Sequence, residues 1–184
     1  MTSDTAGQAR SCDAVPSGRA RQFEAFFRAE VGRVLAVVLA LRGAAVGAED
    51  VAQEAFARAF ERWDTVGRMD RPDLWVQRVA LNVASSRLRR LGAESRALRR
   101  LQGRSGRETE WLRAPSLVDE PFWAAVRRLP DRQARVVALR YAGDLSIAEI
   151  ATIVGVASGT VNSQLVTARK RLAALLADGE EGRS

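Results

Sequence analysis

Three groups of residues in this 184-residue chain have types and spacings suited to recognition rather than to bond making. The first is Ser158, Thr160, Asn162, Ser163, Gln164, Thr167, Arg169, Lys170 and Arg171, short hydroxyl and amide side chains followed by three consecutive cations. Hydroxyls and amides can read base edges, Asn and Gln pairing bidentately with adenine, whereas Arg and Lys suit phosphates. The second is Trp75 and Asn82 with Arg87, Arg89 and Arg90 behind them. Rings stack on exposed bases while guanidiniums hold phosphates, a combination suited to single-stranded or melted DNA. The third is Asp50, Gln53 and Glu54, poor as a DNA surface but suited to a basic protein. Plainer alternatives stand beside each: a solvated face for the first and third groups, and core anchoring for Trp75 and for Trp63.

Catalysis lacks its usual parts. The chain has no histidine, which removes the commonest general base and the Ser–His and Cys–His nucleophile pairs. Cys12 is the only cysteine, so neither an internal disulfide nor a Cys/His metal set can form. No Gly-rich phosphate loop occurs. Catalytic residues, metal ligands and cofactors are therefore not expected, and a phosphate-ester enzyme working through arginines would lack metal-ligand clusters and a plausible base.

The elements that position these residues read as helices. Ile147, Ile150, Ala151 and Val154 recur at three- and four-residue steps, the mark of one buried helix face. Gly155 can adopt the left-handed conformation that ends such a helix. Ser158 is expected to cap a second helix, with Val161, Leu165, Ala168 and Leu172 inward and Ser163, Thr167 and Lys170 outward. Two short helices around a tight turn, the second ending in cations, describe a helix-turn-helix whose second helix enters a major groove. An ordinary helical hairpin with a basic end is the alternative.

Upstream, Phe23, Phe26, Phe27, Val31, Val34, Val38 and Leu41 predict a helix to Gly43, and Ala52, Phe56, Ala59, Phe60 and Trp63 one over Ala48 to Trp63. Residues 64–70 read as a polar loop, and a third helix opens at Arg71-Pro72-Asp73 and runs through Val79, Val83 and Leu88. The span from Arg87 to Arg107 holds eight arginines and one acid, leaving 21 basic and 21 acidic residues elsewhere, so the positive charge is local. Such a block suits a polyanion or is a solvated linker. With 47% hydrophobic residues the chain can bury a core. No strand alternation is evident. The expected architecture is all-α: a disordered tail over 1–18, a helical domain over 19–91, a flexible basic linker over 92–118 with a short helix at Glu94 to Leu101, a helix-turn-helix domain over 119–178 and a tail over 179–184.

These segments together resemble the extracytoplasmic-function group of bacterial RNA polymerase sigma factors, from about Phe23 to Leu176. AEDVAQEAFARAFERW (Ala48 to Trp63) is similar to the family's segment that docks on core polymerase. RPDLWVQRVALNVASSRLRR (Arg71 to Arg90) is similar to its promoter-melting and −10 helix, and Leu129 to Leu172 to its −35 domain. The resemblance implies that Asp50, Gln53 and Glu54 dock on core RNA polymerase. It implies that Trp75, Asn82, Arg87, Arg89 and Arg90 engage the −10 region, that the 64–70 loop holds a flipped base, and that the helix-turn-helix reads duplex DNA at −35. The basic linker would lie along polymerase channels, and an anti-sigma factor is an expected partner. The free-standing helix-turn-helix activator is the alternative function.

The chain departs from the family at Asn162 and Gln164, where Lys and Arg are frequent, implying an unusual −35 preference. It also departs at Leu81 and at Ser85-Ser86, frequent sites of Arg and Asp, so the −10 preference does not carry over. The longest apolar stretch, Val34 to Leu41, is too short to cross a bilayer, which needs about 20 residues, and the N-terminus has no signal-peptide pattern. No membrane insertion and a cytoplasmic location are expected.

Overall fold

The computed structural model describes residues 18–43, 47–101 and 120–181, and the described residues are helical with short turns. The order is α1 (Gly18–Arg42), α2 (Ala48–Glu61), α3 (Trp63–Val66), α4 (Pro72–Leu101), α5 (Glu120–Arg128), α6 (Asp131–Tyr141), α7 (Ile147–Val154) and α8 (Ser158–Glu181). The expected N-terminal tail, Cys12 and most of the linker lie outside the described residues. So does the end of the C-terminal tail.

α1, α2 and α4 form the first bundle. Ala48, Ala52, Ala55 and Ala59 repeat at three- and four-residue steps along α2, and these small side chains let α1 and α4 approach closely. Val34, Val38, Val51, Phe56, Val76, Ala80, Val83 and Ala84 fill the space between them. At one end Phe23, Phe26 and Phe27 of α1 meet Phe56, Phe60 and Trp63, with Phe27–Phe56 centroids 4.8 Å apart and Phe26–Trp63 5.0 Å. Phe56 and Trp63 are the buried rings of this cluster and contribute roughly 2–3 kcal/mol each, whereas Phe60 stays exposed. The helix expected to reach Trp63 instead ends at Glu61. Arg62 leaves helical geometry, and Trp63 opens the separate short α3.

α5 to α8 form the second bundle around Val126, Val136, Val137, Leu139, Ile150, Val161 and Leu165. Val37, Ala40 and Leu41 of α1 and Leu74 and Leu81 of α4 belong to this same buried cluster, so the two bundles share a core. Polar contacts ring that seam. Arg71 Nη1 lies 2.5 Å from Glu149 Oε1, and Arg42 Nη2 lies 2.6 Å from Asp131 Oδ1. The buried Ser85 hydroxyl accepts from Arg42 at 3.3 Å and Arg135 at 2.9 Å and donates to Leu81 O. Arg78 Nε donates to Ile153 O at 3.1 Å and Arg78 Nη2 to Thr152 O. These carbonyls close α7, where a cation complements the helix dipole.

Three further expectations change. α4 continues without a break past residue 91 to Leu101, so the short helix expected over Glu94 to Leu101 is the end of α4 rather than a separate element, and the first ten residues assigned to the linker are helix. Ile147, assigned to the inner face of α7, is exposed beside buried Ile150 and Ala151. α8 begins at Ser158 itself, which makes Ser158 its first helical residue rather than its cap.

Candidate nucleic-acid interface

The helix-turn-helix is built by two local devices. Ser146 caps α7: its hydroxyl accepts from Glu149 N at 3.3 Å, and the Glu149 carboxylate accepts from Ser146 N at 2.7 Å. This reciprocal pair is a capping box, legible in Ser146-Ile147-Ala148-Glu149. At the other end Gly155 takes φ 73°, and the Gly155 and Val156 N–H groups both donate to Ala151 O. The Ser146 N–H and hydroxyl and the Arg71 guanidinium together hold the Glu149 carboxyl down to about 2.

Val161, Leu165, Ala168 and Leu172 of α8 are buried as their spacing predicts, turning the opposite face outward. Ser163, Thr167 and Lys170 lie on that face, and Ser158, Thr160, Asn162, Arg169 and Arg171 beside it are exposed as well. Gln164 is half-buried and lines a hollow of about 310 Å³ with Arg132, Arg135, Val154, Val156 and Thr160. Ser163 donates to Thr160 O and Thr167 to Ser163 O, leaving their oxygens as acceptors. The three cations differ: Arg169 donates to the Tyr141 hydroxyl and Arg171 to Gln133 Oε1, whereas Lys170 has neither an ion pair nor a hydrogen bond among the described residues.

Trp75, Asn82 and Arg89 stand seven residues apart on α4 and therefore form one stripe. Trp75 is half-buried, Asn82 and Arg90 are exposed, and Arg89 donates to Ser86 Oγ at 3.1 Å. Trp75 walls a cavity of about 360 Å³ with Glu61, Arg62, Asp64, Thr65, Val66 and Met69, small for a ligand site yet partly apolar and partly charged. The two tryptophans thus separate: Trp63, 7% exposed, anchors the aromatic cluster, and Trp75 faces the cavity. Gly67 packs against Trp63, where a Cβ would lie 2.8 Å from the indole ring. Asn82 opens onto a second hollow, shared with Arg78, Leu81, Arg135, Ile153, Val154 and Gly155 at the end of α7.

Arg87 sits elsewhere. Its helix position is more than 90° from the stripe, and its guanidinium turns to α2, 2.9 Å from Glu54 Oε2 and 3.4 Å from Asp50 Oδ2. Glu54 also accepts from Arg58 at 2.6 Å. The Arg87 hydrogen bond, outweighing desolvation and helped by Arg58, lowers the Glu54 carboxyl. Asp50 and Gln53 are exposed and Glu54 is half-buried on the outer face of α2.

Arg71, Arg78 and the capping Ser146–Glu149 pair join the sites without having been singled out from the sequence. Burial raises the Asp73 carboxyl, but the Arg71 pair and backbone N–H groups carry it below its ordinary value.

An all-helical pair of bundles, one offering a tryptophan-walled cavity beside an Asn–Arg stripe and the other a helix-turn-helix, defines a two-element DNA reader. Residues 26–94 match the sigma-70 region 2 family and residues 119–172 the sigma-70 region 4 family. The chain is 30% identical to the ECF RNA polymerase sigma factor EcfG of Rhodopseudomonas palustris, the match covering 83% of this chain and 84% of that one. It is 29% identical to the ECF RNA polymerase sigma factor SigW of Bacillus subtilis, over 71% of this chain and 76% of the relative. Among solved structures it is similar in fold to the sigma factor RpoE of Bartonella quintana in complex with the anti-sigma factor NepR. That likeness has a TM-score of 0.69 at 24% identity and covers 85% of this chain and 98% of the other. CnrH in complex with the cytosolic domain of CnrY is also similar, with a TM-score of 0.58 at 21% identity over 88% and 92% of the two chains.

The chain belongs to the extracytoplasmic-function family of RNA polymerase sigma factors. It binds core RNA polymerase and directs promoter-specific initiation, and the free-standing activator is not favoured. Sigma factors are not enzymes. Among the described residues no single helix is long and apolar enough to cross a membrane.

Proposed function

We propose that the two sites divide promoter recognition as follows. Trp75, Asn82, Arg89 and Arg90 engage the −10 region, and the cavity walled by Trp75 and Met69 receives a base extruded from the melted strand. The observation that carries this is the stripe running from Arg89 through Asn82 to the cavity wall. Extrusion costs a few kcal/mol, offset by stacking and by phosphate contacts that only melted DNA offers. Ser158, Thr160, Asn162, Ser163, Gln164 and Thr167 face the −35 bases, with Lys170, Arg169 and Arg171 toward phosphates. Asp50, Gln53 and Glu54 dock on a basic surface of core polymerase. The chain acts in the cytoplasm and carries no chemistry of its own.

The packed arrangement is the resting form. α7 covers the Leu74–Leu81 face of α4 and Asn82 faces the turn at Gly155, so the bundles separate before both promoter elements are read. Because the similar sigma factor RpoE was captured with the anti-sigma factor NepR, we propose a protein of that kind as the regulator that prolongs the closed form.

Run-off transcription with core polymerase, on a promoter located by mapping transcript starts, tests the −10 assignment. Trp75→Ala is expected to lower permanganate-detected melting about tenfold or more, the worth of one stacked base. Wild-type melting by that variant would remove Trp75 from the site.

A further inference from the structure

Sequence pattern groups Arg87 with the −10 cations, but its guanidinium bridges the acids of α2. Both Glu54 oxygens are occupied, Oε1 by Arg58 and Oε2 by Arg87. Arg87 Nη2 also approaches Asp50 O, so the bridge spans a full turn of α2. With Arg58 and Arg87 in place, the two carboxylates are balanced by two cations from the same chain. The surface expected to attract a basic partner is therefore electrostatically quiet in the free chain. These side chains are partly exposed, with Asp50 at 69%, and exposed pairs of this kind are weak enough for a better-placed cation to displace.

We propose that Arg87 is an internal stand-in for the polymerase cation: it holds Asp50 and Glu54 in the free sigma factor and is exchanged for a basic group when core polymerase docks. This rests on the docking assignment of Asp50 and Glu54 above. The exchange gives the docking surface a threshold. A stray cation gains little by trading one ion pair for another, whereas a surface that engages Asp50, Gln53 and Glu54 together does. It also mutes salt dependence, because an ion pair is lost for each one formed.

The test is equilibrium binding of the full chain to core RNA polymerase across a salt series. Arg87→Ala and Arg87→Met are expected to bind about two- to fivefold more tightly at low salt and to lose affinity more steeply as salt rises, converging on wild type. The methionine keeps the aliphatic stem packed, so agreement between the two variants separates charge from packing. Arg87→Lys should stay near wild type. Weaker binding by both neutral variants would overturn the proposal, leaving Arg87 as a brace between α2 and α4. Unchanged affinity and slope would overturn it as well. The Asp50→Ala/Glu54→Ala double variant tests the underlying assignment separately: it should bind core more weakly and be indifferent to further loss of Arg87. Wild-type binding by that double variant refutes the docking site itself, whatever Arg87 does.

Discussion

Gln77 is the residue most at odds with its surroundings. It is 1% exposed, and neither its amide nitrogen nor its amide oxygen has a hydrogen-bond partner among the described residues. Helix geometry puts it between the Val76–Ala80–Ala84 face of α4, which packs within the first bundle, and the Leu74–Leu81 face, which packs on the second. A buried amide without partners costs about 1–3 kcal/mol, and separating the bundles would return it to water. Gln77→Leu conserves volume closely and removes that cost only where the site is closed; allowing for imperfect repacking, the closed form should gain about 1–2 kcal/mol. At about 1.4 kcal/mol per factor of ten, the open fraction falls roughly 5- to 30-fold. If only the open form accepts core polymerase, the apparent Kd rises by the same factor. The assay is titration of core polymerase with the labelled variant, alongside chemical denaturation to verify the gain in stability. A more stable variant whose Kd stays within twofold of wild type would refute the requirement for opening. A less stable variant would refute the placement of the amide.

The latch should respond in the opposite sense. Arg78→Ala removes both donations to the end of α7 and is expected to raise the open fraction about tenfold, read as a larger radius of gyration in solution scattering. Ser146→Ala removes half of the capping box and should cost roughly 0.5–2 kcal/mol in denaturant unfolding. Because the Glu149 carboxyl is lowered to about 2 from an ordinary 4.5, it stays ionised in the folded chain, where the unfolded chain would bind a proton. Its stabilisation is complete above about pH 4.5 and declines as pH falls toward 2, Asp73 acting in the same direction; Glu149→Gln should flatten that acid limb. Lys170→Ala should weaken promoter binding by the holoenzyme and reduce its salt slope by about one, with smaller effects for Arg169 and Arg171, which have partners within the protein.

What could be read from the sequence is what depends on neighbours along the helix. The inward set Val161, Leu165, Ala168 and Leu172 and the turn at Gly155 follow from period and backbone freedom alone, and both are found. The Ser146–Glu149 cap was equally local. Either serine can cap, but only Ser146 has a Glu three residues on, whereas Val161 stands three residues after Ser158. Arg71 and Arg78 are illegible for a different reason: their partners, the Glu149 carboxylate and the Ile153 carbonyl, lie about 75 residues away, and nothing in a helical pattern marks which exposed arginine meets a distant group. The departures from the family pattern at Leu81 and Ser85 acquire a physical account here. Leu81 enters the shared core and Ser85 is clasped by Arg42 and Arg135, so both build the seam between the bundles.

Arg78 grips main-chain oxygens of α7 rather than side chains. That grip does not depend on the identities of Thr152 and Ile153, so the helix-turn-helix can diversify its reading residues, or be transplanted from a relative, without losing it. The selective element is the Arg71–Glu149 pair. A chimera carrying a foreign C-terminal bundle should close on α4 wherever an acid stands three residues after the α7 cap, and stay ajar where one does not. Promoter specificity and self-closure are thereby written in different residues of one small bundle, free to change independently.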